Sequence, residues 1–73
     1  MNVWFSVNKN GFINISKDEP RRNNELGKWE YYFPYINSII YEQIKNLVEK
    51  VNFSWKNDYE CITITTSKEE THN

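Results

Sequence analysis

The chain has 73 residues, a formal net charge of −1 and 16% aromatic residues. That length allows one domain, and the near-neutral charge argues against a dedicated duplex nucleic-acid binder, whose affinity comes largely from neutralising phosphates. No apolar run approaches the roughly 20 residues needed to span a bilayer, and the N-terminus lacks the basic-then-apolar order of a signal peptide, so membrane partners are excluded and the host bacterial cytoplasm is the expected compartment.

Val3 to Val7 alternates, with Val3, Phe5 and Val7 on one face and Trp4 and Ser6 on the other. Period two over β-branched and aromatic residues predicts a strand. Asn10-Gly11 then signals a hairpin, because both residue types tolerate positive φ, and Phe12 to Ser16 is the return strand. Residues 17–27, KDEPRRNNELG, carry no period and read as a long loop. Lys28 to Phe33 resumes alternation as a third strand, which is expected to pair with the second.

Ile40, Ile44, Leu47, Val48 and Val51 fall at helical spacing and form one apolar stripe. Asn37 or Ser38 supplies the N-cap, and Asn52 the stop. Phe53 to Trp55 has room for a short extra strand, Lys56 to Asp58 makes a turn, and Tyr59 to Thr66 is the last strand, with Ile62 and Ile64 inward. Residues 1–66 are therefore one α+β domain in the order β-β-β-α-β, a small antiparallel sheet with one amphipathic helix on one face. Residues 67–73 are a disordered polar tail.

A core of this size supplies only about 3–5 kcal/mol, and Cys61 is the sole cysteine, so no internal disulfide adds to it. One Cys and one His do not close a zinc site. The remaining supports are good packing or a homodimer.

Catalysis has little to stand on. His72 lies in the tail, Cys61 reads as a buried small hydrophobe, and Gly11 and Gly27 are too isolated to cradle a phosphate. The chain is read as a binding protein, with no metal, no cofactor and no catalytic residue. Arg21, Arg22 and Asn23 in the long loop, followed by Trp29, have the chemistry to hold a nucleotide: guanidinium forks for phosphate and a ring for the base. The bland alternative has one arginine solvated and the other paired with Glu19 or Glu25. Trp4 and Tyr32 point away from the core-facing residues, so an open aromatic sheet face is expected. Such a face suits a protein interface, a dimer seam, or a single-strand nucleic-acid platform.

The succession Val7-Asn8-Lys9-x-Gly11, Pro20-x-Arg22-Asn23-x-x-x-Gly27-x-Trp29 and Trp55-x-x-Asp58 resembles very short bacteriophage and mobile-element proteins that read VxKDG…PxRN…GxW…WxDxP. The chain departs from that pattern at Asn10, where an acidic residue is common, and at Tyr59, where proline is common. It also inserts a well-formed helix before the last strand. The resemblance implies a phage origin more than an activity. Phage proteins of this length are often counter-defence factors of the anti-CRISPR kind, so the expected function is stoichiometric inhibition of a host antiviral defence protein. The alternatives are a dimeric sponge for a nucleotide immune signal and, more weakly, a single-stranded nucleic-acid binder.

Overall fold

A computed structural model describes residues 1–64. The predicted polar tail with its His72, and the end of the last predicted strand, lie outside the described residues. The fold is α+β, with β1 (Asn2–Val7), β2 (Ile13–Ser16), β3 (Arg21–Asn23), β4 (Lys28–Glu30), α1 (Ser38–Val51) and β5 (Glu60–Thr63). Strands β2, β1 and β5 form one antiparallel sheet in that order, and β3 and β4 form a separate two-stranded ribbon. Among the described residues no helix is long and apolar enough to cross a membrane.

The alternation of β1 places Val3 and Phe5 against Ile15 and Ile44 in the core. Phe53 closes that layer, its ring 5.1 Å from Phe5. The helix is capped as its sequence predicts: the Asn37 side chain accepts from the Ile40 amide at 3.0 Å, and Asn52 ends it in the left-handed region at φ 56°. The Phe53 amide then returns to the Val48 carbonyl at 2.9 Å, which satisfies a carbonyl the helix end would leave bare. The apolar stripe is narrower than its spacing predicts. Ile44 is buried, Ile40 and Val48 are half-buried, and Leu47 and Val51 stay exposed, because three strands are too few to cover the full width of the helix.

Several expectations change. The Asn8–Gly11 turn closes through a Gly11 amide to Asn8 carbonyl bond of 2.8 Å, and only Gly11 takes positive φ. It is a turn followed by a left-handed glycine, not a two-residue hairpin loop. Arg21–Asn23, read as loop, is a strand, and β4 pairs with it rather than with β2, in the register Arg22 to Trp29. Residues 53–55 form no strand. Cys61 is exposed, not buried: with Ile62 directed to the core, period two turns Cys61 to the opposite face, where no described residue covers it.

That face is closed at the end formed by Ser6, Asn14 and Ser16 and open at the end formed by Asn2, Cys61 and Thr63, with Trp4 half-buried between them. The expected open aromatic face is therefore only partly present. Ser6, Asn14 and Ser16 on it are 1%, 4% and 1% exposed. The ribbon covers it through Trp29, which is buried, and through the Tyr31 hydroxyl, which donates to Asn14 Oδ1 at 3.3 Å. The two turns also meet. The Lys9 amide donates to the Gly27 carbonyl at 2.9 Å, and a Cβ on Gly27, already at φ +68°, would come within 3.1 Å of Lys9 Cβ.

Candidate functional site

Successive side chains of a strand point to opposite faces, and this separates the two arginines of β3. Arg22 turns inward. Its guanidinium lies 4.5 Å from the centroid of the Trp29 ring and 4.4 Å from that of Trp55. It donates to the Trp55 carbonyl at 2.9 Å, the Asn57 carbonyl at 3.1 Å and the Asp58 carboxylate at 3.4 Å. Neither Glu19 nor Glu25 is its partner. Trp29 sits behind it, edge-on to Trp55 and Tyr59 at 6.0 and 5.8 Å between centroids. Its indole N–H donates to the Val7 carbonyl at 3.1 Å.

Arg22 and Trp29 are thus brought together, as the sequence suggests, but as an internal latch joining the ribbon to the turn after α1. Asn23 is engaged locally as well: its Oδ1 accepts from the Leu26 amide at 3.0 Å and its Nδ2 donates to Glu30 at 3.1 Å. Trp4 is half-buried, on the face of the sheet away from α1. Arg22, Trp29 and Asn23 are thus engaged within the fold.

Arg21 and Tyr32 remain outward and border open space. A cavity of about 550 Å³ lies between the first hairpin and β4, lined by Phe12, Arg21, Lys28, Tyr31 and Tyr32 among others. Arg21 reaches the Tyr32 hydroxyl at 3.3 Å. Lys28, Tyr31 and Phe12 were not singled out from the sequence. The alternation that faces Trp29 inward carries the signal for Lys28, since its neighbour in a strand must face outward.

A second hollow, about 400 Å³ and mostly apolar, runs beside the edge strand β2 and the start of α1. Ile13, Ile15, Pro34, Tyr35, Ile36 and Tyr41 line it. Ile36 is 90% exposed, and Phe12, also exposed, lines the same hollow. The segment before the helix covers only one end of β2, where the Tyr35 amide meets the Ile15 carbonyl at 2.8 Å.

Asp18 holds this segment in place. Its two carboxylate oxygens accept from the Tyr32 and Phe33 amides, each at 2.8 Å. The Tyr32 amide lowers the Asp18 carboxyl from its ordinary value; partial burial opposes this, and the amides of Phe33 and of Asp18 itself lower it further. A depressed carboxyl contributes stability above its unfolded value, near pH 4, and loses it as pH falls through the folded value. The thermal midpoint is therefore expected to drop below about pH 4, and Asp18→Asn should flatten that drop. Melts of both proteins across this range check it, and parallel curves would rule Asp18 out as the anchor. Set against protein-family models, curated proteins and solved structures, the chain matches none of them.

Proposed function

We propose that this chain is a non-catalytic binding protein that blocks a host antiviral defence protein one-to-one, through the apolar hollow beside β2. The observation that carries binding is the exposure of Ile36 and Phe12 around a hollow already walled by Ile13, Ile15 and Tyr35. Large apolar side chains left contiguous on a surface mark interaction sites, and an aromatic rim around an aliphatic pocket is the composition of interface hot spots. The edge strand adds backbone groups that an incoming extended segment can pair. The defence protein as partner rests on the resemblance of the VNKxG, PxRN and GxW segments to small phage proteins.

The test expresses the chain in bacteria that carry antiviral defences and measures phage plating. Wild type should restore plating on at least one defended strain, and Ile36→Asp should abolish the gain without unfolding the protein, since Ile36 contributes no core packing. Failure to restore plating on any defended strain, or full rescue by Ile36→Asp, would overturn the proposal. Light scattering on both proteins decides whether a second copy fills the hollow: a dimer broken by Ile36→Asp would give this surface to self-association instead.

A further inference from the structure

We infer that the cavity between the first hairpin and β4 is a second binding site, for a small aromatic anion of the nucleotide class. It adjoins the apolar hollow, sharing Phe12 and Tyr31 with it, and goes beyond the reading above. Its volume of about 550 Å³ falls within the roughly 300–1,000 Å³ of small-molecule pockets. Four charged residues line it: Arg21, Lys28, Glu19 and Glu30. The two acids are held by neutral donors, which do not cancel their charge, and Glu30 stands across the ribbon from Arg21. Glu30 accepts from the Asn23 side chain at 3.1 Å, and Glu19 accepts from the Tyr59 hydroxyl.

Neither cation is in an ion pair among the described residues, where the one such pair joins Arg22 to Asp58. Among the described residues the Arg21 side chain makes a single hydrogen bond, to the Tyr32 hydroxyl, which leaves most of its guanidinium fork available to a phosphate. Tyr31, Tyr32 and Phe12 supply aromatic surface on which a base can stack. The strand alternation that locks Arg22 inside is the same one that presents Arg21 and Lys28 to this cavity. The charged ligand contacts therefore fall to Arg21 and Lys28 and not to Arg22, while Trp29, which also lines the cavity, is buried.

The test follows backbone amides by two-dimensional NMR during titration with AMP, GMP, CMP and UMP, with adenosine and inorganic phosphate in parallel. At least one nucleotide should give saturable shifts at Arg21, Lys28, Tyr31 and Tyr32. Arg21→Gln combined with Lys28→Gln should weaken that binding by about tenfold or more. Both side chains are exposed, and well-dispersed spectra verify that the variant folds. Ile36→Asp should bind as wild type does, which separates this site from the apolar hollow. Silence from all four nucleotides at millimolar concentration would overturn the inference, as would binding unaffected by the double substitution. Phosphate binding as tightly as the nucleotides would remove the aromatic walls from the account, and adenosine binding as tightly as AMP would remove the cations; either result overturns it as well.

Discussion

Trp29→Ala is expected to leave no cooperatively folded domain in a urea titration followed by far-ultraviolet circular dichroism. Truncating a buried tryptophan costs about 3–5 kcal/mol, and a core in a chain this short supplies about the same net stability. Trp29 is 4% exposed and is the main bridge between the ribbon and the three-stranded sheet. Removing it takes away the indole bond to the Val7 carbonyl and both edge-on aromatic contacts. It also loosens the segment whose Tyr31 hydroxyl bonds the buried Asn14. Trp29→Phe keeps the ring and loses the N–H, leaving a buried carbonyl unpaired, so a smaller loss of about 1–2 kcal/mol is expected. A cooperative transition for Trp29→Ala near the wild-type midpoint would show that the ribbon is not needed for the fold.

Arg22→Ala should have the next largest effect, a loss of about 3 kcal/mol, combining charge-assisted bonds to two backbone carbonyls with stacking on two indoles. The side chain is 24% exposed, so these contacts are partly screened, and the figure sits below the sum of the separate terms. Asp58 contributes little. It is 88% exposed, and Asp58→Asn should shift stability by no more than about 0.5 kcal/mol. Arg22→Lys should recover only part of the loss, because an ammonium on a flexible stem does not fork across the Trp55 and Asn57 carbonyls while lying flat between two rings. Urea midpoints for the three variants are the measurement. Equal losses for Arg22→Ala and Asp58→Asn would mean that the ion pair, not the carbonyl and ring contacts, makes the latch. Combined with Trp29→Phe, Arg22→Ala should be non-additive, since the two side chains share a contact surface.

The same latch revises what the arginine pair means for binding. Two adjacent arginines in a polar loop look interchangeable, and a ligand role for both follows naturally from their chemistry. In a strand they cannot share a face. Once Arg21–Asn23 is paired with Lys28–Glu30, Arg22 is committed to Trp29 and Trp55, and only Arg21 is left for a ligand. Tyr32 stays available by the same logic, 73% exposed while the Tyr32 backbone amide is tied to Asp18.

The sequence by itself determined β1, the first turn, the helix with both caps, and the inward side of the last strand. Each of these is a local period or a local hydrogen bond: Val3 and Phe5 alternate with Trp4 and Ser6, Asn37 lies three residues from the amide it caps, and Asn52 supplies its own left-handed stop. Only the tertiary structure decided the ribbon and what it covers. β3 has three residues, too few for period two to stand out among polar neighbours. The acceptors that hold Arg22 lie 33 to 36 residues further along the chain, and two of the three are backbone carbonyls, which every residue carries and no sequence pattern marks. The exposure of Cys61 and the burial of Ser6, Asn14 and Ser16 belong with these. An alternating strand states which residues share a face, while the element that packs against that face, here a ribbon seated by Trp29, decides whether the face is wet or dry.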